Sequence, residues 1–400
     1  MKRRIPDIIY QTMNSQPLPP SIAESYTTLA HTIRDNGPIL DITNSDSLLS
    51  ELFRIPVRRA IHDDLHWHAI SWWLAENYEF LLLNHIQHMD ASLPKDPFFA
   101  LKSKALTAVA DQIEPFFAPL LARLRSEPAI SEDVFASALL TLLWGNKADL
   151  SMSSGVVEGK SLLHTSSSNL ILIDHSKEAW SFLQSHDVRE ISVFADNSGL
   201  EMLCDFLFIT LLLSAFPHCS VHYVVKASPV FVSDVTLDDI QPGLDVLRRS
   251  RDASLRWMLD CLEGAMQSGR LDVKASVFLC SALPGWEMPS SMRGFLAKQD
   301  LVITKGDANY RRLAGDLHWE YDVELKRVLH YFPCSLLMLR TLKSNVLMGV
   351  SKELQEKARE RDANWDCSGQ NGIIQLYSCC FSVFLKHEKG GSMKDRKEWD

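Results

Sequence analysis

Ile191-Ser192-Val193-Phe194-Ala195-Asp196-Asn197-Ser198-Gly199-Leu200-Glu201 is the stretch on which the fold turns. A short β-branched and aromatic run breaks into an acidic, polar, glycine-ended turn. A helix-length apolar segment, Gly199 to Ala215, follows at once. That grammar reads strand, tight turn, helix. It recurs along the second half of the chain, where Leu170 to Ile173, Val221 to Val225, Val273 to Leu279 and Leu301 to Thr304 are further short apolar runs. Most alternate with helix-length stretches such as Leu244 to Met266. Nearly continuous apolar strands separated by helices predict an α/β domain, three layers deep, with a mainly parallel central sheet covered on both faces. Gly372 to Tyr377 is expected to add an edge strand.

The first 150 residues carry a different period. Asp46 to Ile55, Trp67 to His88, Pro97 to Arg125 and Ser131 to Trp144 place apolar residues three and four apart, the mark of amphipathic helices. The third is expected to bend or break near Pro115 and Pro119. The chain therefore divides into an all-helical domain over residues 1–150 and an α/β domain over 151–385, linked by the Ser- and Gly-containing stretch Ala148 to His164. Residues 386–400, charged and without apolar periodicity, are expected to be a disordered tail.

Composition narrows the function classes. A hydrophobic fraction of 46% and a charged fraction of 23% are ordinary for a globular chain of 400 residues. The net charge of −9 argues against nucleic acid or an anionic membrane as partner. An anionic substrate would need a local basic cluster or a metal. The eight cysteines form no CxxC pair and lie mostly in apolar runs, as reduced thiols do. Pro6 and Asp7 interrupt any signal-like apolar region, and the longest apolar run, Phe206 to Phe216, is about half of the roughly 20 residues a membrane span requires. A cytoplasmic, or also nuclear, protein is expected.

Open α/β sheets bind ligands beyond the carboxyl ends of their strands. Those ends here are polar. Ile191 to Phe194 leads to Asp196-Asn197-Ser198-Gly199; Val221 to Val225 leads to Lys226 and then Ser233-Asp234. Leu301 to Thr304 leads to Lys305-Gly306-Asp307-Ala308-Asn309-Tyr310-Arg311, and Ser335 to Leu339 leads to Arg340-Thr341-Leu342-Lys343. Two carboxylates and an amide oxygen suit Mg²⁺ or Mn²⁺. Such an ion polarises a phosphoryl oxygen. Lys and Arg would take the remaining phosphate charge, and the helix start at Gly199 offers backbone N–H groups to the same anion. Read singly, each segment is an ordinary turn or helix cap. Four at equivalent positions converge on a metal–phosphate site. His62 with His66, and His85 with His88, have helical spacing but no HExxH pattern, and read as core or surface histidines. No Walker loop, GxSxG elbow or GxGxxG occurs.

Asp196-Asn197-Ser198-Gly199-Leu200-Glu201, Val232-Ser233-Asp234-Val235, Lys305 to Arg311 and Arg340-Thr341-Leu342-Lys343 stand in one order and spacing. With Leu143 to Ser151, Trp286-Glu287-Met288-Pro289 and Gly315-Asp316-Leu317-His318-Trp319, they resemble the damage-control phosphatases, formerly domain of unknown function 89, in the subgroup with an Arg-Thr-x-Lys motif. The resemblance runs from about Arg4 to about Gln375. It implies a helical domain before an α/β/α catalytic domain, and a divalent metal (Mn²⁺, Ni²⁺ or Co²⁺) held by Asp196, Asn197 and Asp234. Asp307, Ala308, Asn309, Tyr310, Arg311, Arg340 and Lys343 would hold the phosphorylated substrate, together with Asp196 and Asn197. Asp196, Asn197, Asp234 and Lys343 would be the catalytic group.

The implied activity is hydrolysis of sugar phosphates such as fructose 1-phosphate, clearing surplus or damaged phosphometabolites. Two rival readings stand beside it, of which the resemblance implies only the first. One is an S-adenosylmethionine-dependent glutamate O-methyltransferase, with Glu201 and Asp234 beside the methyl donor. The other is an inactive metabolite-binding protein, against which the intact ligand set weighs. Ser198, Leu200 and Ala308 depart from the family pattern in size without removing a ligand. The segment Trp72 to Leu83 keeps Trp73, Glu76 and Tyr78 but lacks a basic residue that the family would place soon after.

Overall fold

The computed structural model describes residues 1–44, 47–110, 112–127, 130–153 and 170–379, with side chains excluded over 146–153. The charged tail and most of the Ser- and Gly-containing link lie outside these residues. The helical half comprises α1 (Arg4–Ser15), α2 (Pro20–Arg34), α3 (Leu48–His62), α4 (Trp72–Gln87), α5 (Phe99–Ala110), α6 (Ile113–Ser126) and α7 (Glu132–Ser153). The break expected near Pro115 falls just before it. Pro115 sits in the first turn of α6, where its missing N–H costs nothing, and Pro119 is accommodated inside that helix.

The rest follows in the order β1 (Ile171–Asp174), α8 (Ser176–Ser185), β2 (Glu190–Phe194), α9 (Leu200–Ala215), β3 (Ser220–Lys226), α10 (Leu237–Arg249), α11 (Ala253–Gln267), β4 (Leu271–Ser276), α12 (Ser290–Leu296), β5 (Leu301–Lys305), α13 (Asp307–Leu313), α14 (Leu325–Leu329), β6 (Ser335–Thr341), α15 (Lys352–Arg361) and β7 (Gly372–Tyr377). The seven strands stand in the order β1-β7-β6-β5-β2-β3-β4. All neighbours are parallel except β6 and β7.

Two readings of the sequence shift. The segment Gly372 to Tyr377 is a strand, but it lies inside the sheet between β1 and β6 rather than at its edge. Ile373 and Ile374 are fully buried, as a run covered on both faces requires. The apolar run Val273 to Leu279 is strand only as far as Ser276, and Phe278–Cys280 turns into a 3-10 helix. The resulting edge strand β4 carries Asp272 and Lys274, charges that discourage pairing with another chain.

Three cores hold the described residues together. Helices α1 to α4 share one, built on Ile5, Tyr26, Phe53, Trp67 and Tyr78. Helices α6 to α11 cover one face of the sheet, and α12 to α14 cover the other. Helix α9 is buried from Glu201 to Leu213 without a gap, which accounts for its apolar character all round. No helix of the described residues is long and apolar enough to cross a membrane.

Strand order places the site. After β2 the chain moves outward to β3 and β4, then returns to lay β5 on the other side of β2. The crevice between β2 and β5 is therefore a topological switch point, where open sheets take their ligands. Register does the rest. Phe194 pairs with Thr304 and Val224, and Lys305 pairs with Leu339. Two residues beyond each strand register, Asp196, Lys226 and Gly306 arrive side by side.

Candidate active site

Asp196, Asn197, Asp234, Asp307, Ala308, Arg311 and Lys343 line one cleft of about 820 Å³ at this edge of the sheet. Segments far apart in the chain are tied by backbone bonds. Asn197 and Asp234 form an isolated antiparallel bridge; the Ser198 N–H donates to the Ser233 carbonyl at 2.7 Å, and the Val235 N–H donates to that of Asp196 at 2.9 Å. Gly199, at φ +71°, turns the chain into α9. Gly306, at φ +85°, lies so close behind Asp196 that an added Cβ would overlap its carboxylate. Only glycine satisfies both demands there. Gly306→Ala is expected to cost about 2 kcal/mol from backbone strain alone. It should also displace Asp196 and remove activity, and a wild-type urea midpoint with wild-type turnover would contradict this.

Beneath the cleft wall lies a buried cluster of charges. The Lys226 ammonium reaches Asp234 Oδ2 at 2.7 Å and Asp196 Oδ1 at 3.8 Å, and donates to the Ala195 carbonyl. The Lys305 ammonium reaches Asp205 Oδ1 at 2.6 Å and Glu201 Oε1 at 3.0 Å. Tyr223 donates to Asp205 Oδ2 at 2.7 Å. Burial, and then the carboxylates of Glu201 and Asp234, push the Asp196 carboxyl well above the usual carboxylate range. Burial also raises Asp234, against the pull of Lys226, and lifts Asp205 to about 6 against Lys305. Burial works against the Lys305 ammonium, but Asp205 and Glu201 outweigh it and hold its pKa above the ordinary lysine value.

The donor set fits a hard divalent cation. Asp196 and Asp234 supply carboxylates and Asn197 an amide, all lining the cleft. Asn197 Nδ2 donates to Glu201 Oε2 at 2.9 Å and to Asp196 Oδ2 at 3.2 Å, while its Oδ1 accepts from the Ser233 hydroxyl at 2.7 Å. Among the described residues, no three His, Cys, Asp or Glu side chains are grouped to hold a metal, and the third donor here is an amide. His62 and His66, the latter past the end of α3, and His85 and His88, the latter the C-cap of α4, form no such group either.

The remaining sequence candidates separate into two layers. Asp307, Ala308, Arg311 and Lys343 face the cleft; Asn309, Tyr310 and Arg340 lie behind it. Asn309 donates to the Ala195 and Lys305 carbonyls, tying the two strand ends together. Tyr310 donates to Gln375 Oε1 at 3.0 Å. Arg340, with no exposed side chain, binds Asp307 Oδ1 through Nε and a terminal nitrogen at 2.9 and 2.8 Å, and holds the carbonyls of Ser344 and Val346. Glu201 is likewise buried, engaged by Lys305 and Asn197.

The front of the cleft comes from the helical half, which sequence reasoning did not place at the site. Arg4, Trp72 and Glu76 line it. Glu76 pairs with Arg4 at 3.2 Å and with Arg311 at 3.1 Å, while Arg311 also binds Asp316 at 2.7 Å and lies 4.4 Å over the Trp73 ring. The buried lysines and Asp205 were also missed as a group. The usable signal was charge in apolar company: Glu201 and Asp205 are one turn apart on an otherwise apolar helix, and Lys226 and Lys305 end apolar strands. Buried charges need partners.

A family model described as the damage-control phosphatase ARMT1-like domain matches residues 3–358. The chain belongs to this family. Curated relatives named damage-control phosphatase ARMT1 include one from Xenopus tropicalis, 30% identical over 268 residues, covering 61% of this chain and 59% of its own length. Another, from Xenopus laevis, is 27% identical over 384 residues, covering 88% and 86%. The match to the first thus spans under two thirds of that relative's length. A solved structure of a DUF89 family protein from Pyrococcus horikoshii aligns with 88% of this chain and 93% of its own, at a TM-score of 0.46 and 16% sequence identity.

Proposed function

We propose that this member of the damage-control phosphatase ARMT1-like family is a divalent-metal-dependent phosphatase that releases phosphate from small phosphorylated metabolites, with sugar monophosphates such as fructose 1-phosphate as substrates. One observation carries the reading. The buried cluster brings four carboxyl groups (Asp196, Glu201, Asp205, Asp234) together with two ammonium groups (Lys226, Lys305), two more acidic groups than basic ones beside the cleft. A divalent cation at Asp196, Asn197 and Asp234 balances that excess. Such an ion supplies phosphoryl polarisation and a more acidic bound water.

The chain's own groups do the rest. Lys343 offers a point charge to the phosphoryl oxygens. Asp307, its Oδ1 fixed by Arg340 and Ser344, presents a carboxylate at the cleft to accept a sugar hydroxyl. Arg311, saturated by Glu76 and Asp316, gives a charge-balanced far wall suited to a polyhydroxy body. Arg4, Trp72 and Glu76 close the cleft from the side of the helical half, on the same wall as Arg311.

The test is phosphate release from fructose 1-phosphate and from a generic aryl phosphate, with Mn²⁺, Ni²⁺, Co²⁺ and Mg²⁺ compared. Activity is expected with at least one metal and should vanish on chelation, returning when metal is restored. No release with any of the four ends the proposal. Lys343→Met is expected to lower kcat/KM by roughly 10²- to 10³-fold, the scale of removing one preorganised charge donor. Unchanged turnover would remove Lys343 from the chemistry.

A further inference from the structure

The Asn197 amide is not held by the cleft alone. Behind it runs an unbroken buried chain: Tyr223 on β3 donates to Asp205 on α9, Asp205 pairs with Lys305 on β5, Lys305 pairs with Glu201 on α9, and Glu201 accepts from Asn197. Every member is 2% exposed or less apart from Asn197 itself. None of the four behind Asn197 lines the cleft.

We infer that Glu201, Lys305, Asp205 and Tyr223 form a positioning relay whose task is to fix which end of the Asn197 amide faces the metal. The inference rests on the proposed metal site. Its logic is donor and acceptor matching. Asn197 faces two carboxylate oxygens on one side, Glu201 Oε2 and Asp196 Oδ2, and both demand donors. The nitrogen must turn to them, so the oxygen turns to the Ser233 side of the loop, which lines the cleft. Lys305 is a donor only, so Glu201 must remain an acceptor at both oxygens. Asp205 and Tyr223 keep Lys305 in place. Glu201 is thereby a positioning residue, distinct from a group that touches substrate.

The relay makes a specific forecast for Glu201→Gln. Lys305 would claim the new amide oxygen, leaving an NH₂ pointed at Asn197. Asn197 would then have to turn its oxygen inward and present nitrogen to the cation. A second change repairs this. With Asn197→Asp added, one oxygen of the new carboxylate accepts from the amide introduced at position 201 and the other serves the metal. The total charge also returns to that of wild type.

The experiment is Mn²⁺ titration calorimetry on the metal-free full chain, with thermal melts of the same samples. Glu201→Gln is expected to bind Mn²⁺ at least about 10-fold more weakly, within the range for partners of metal ligands. The double variant Glu201→Gln/Asn197→Asp should return to within about 3-fold of wild type. Wild-type affinity in folded Glu201→Gln protein, or weakened binding that the double variant does not recover, overturns the relay. Should Glu201→Gln not fold, Tyr223→Phe decides: a roughly 2- to 5-fold weaker Mn²⁺ site supports the relay and wild-type affinity refutes it. If the wild-type chain binds no divalent ion, the metal site itself has failed, which is a separate outcome.

Discussion

Asp196→Ala protein is expected to lose about 10³-fold in phosphate release while its metal-free form unfolds at the wild-type urea concentration or above it. The activity loss follows from the several kcal/mol that a polarising ion contributes, at about 1.4 kcal/mol per factor of ten. The retained stability follows from crowding. Asp196 is a buried carboxyl whose charged form is disfavoured by burial and by the carboxylates of Glu201 and Asp234, so without a cation its removal takes away a costly buried acid. Its loss leaves Lys226 still paired with Asp234 at 2.7 Å, and Asn197 still bonded to Glu201 at 2.9 Å. Asp234→Ala is the contrast. It strips the buried Lys226 ammonium of its close partner, a change that costs about 3–5 kcal/mol in comparable buried pairs. Equal stability losses in the two variants would show that the charge balance of the cluster has been misread.

Arg340→Lys is expected to destabilise the protein by about 3 kcal/mol, although both residues are cations. The guanidinium lies 4.5 Å over the Tyr310 ring and serves Asp307, Ser344 and the Val346 carbonyl at once. A single ammonium cannot meet all the acceptors held in that fork. Arg340 thus joins α13, which begins at Asp307, to the loop after β6 that carries Lys343. The two basic residues of the Arg-Thr-x-Lys motif therefore divide the labour. Arg340 holds the cleft's shape, and Lys343 faces into it. Urea unfolding of metal-free protein checks this: an Arg340→Lys midpoint equal to wild type would place Arg340 in the chemistry rather than the framework.

Family membership and the geometry support each other without depending on the same facts. The family match covers residues 3–358, and so reaches from the first helix through the loop bearing Lys343. Within that span, the helical half contributes Arg4, Trp72 and Glu76 to the cleft wall. The helical half forms part of the cleft wall, and Glu76, bridging Arg4 and Arg311, is one of the groups that join the two halves there, with Trp73 under Arg311 another.

The sequence by itself determined the class of fold, because period is a local property. Ile191 to Phe194 and Leu301 to Thr304, set between helix-length stretches, read as covered strands, and Asp196 to Gly199 reads as a turn into a helix. It also determined which strand ends were polar, and hence the candidate ligands. Tertiary structure alone decided the order of strands, since nothing local in Gly372 to Tyr377 says whether it ends the sheet or pairs inside it. It decided too that Arg340 lies behind the cleft while Lys343, three residues on, faces it, and that Lys226 and Lys305 meet carboxylates from α9 and from the loop after β3. The physical reason is one of range. Propensity and periodicity act over a few residues, whereas an ion pair depends on which strands become neighbours, and that is settled by packing of the whole chain.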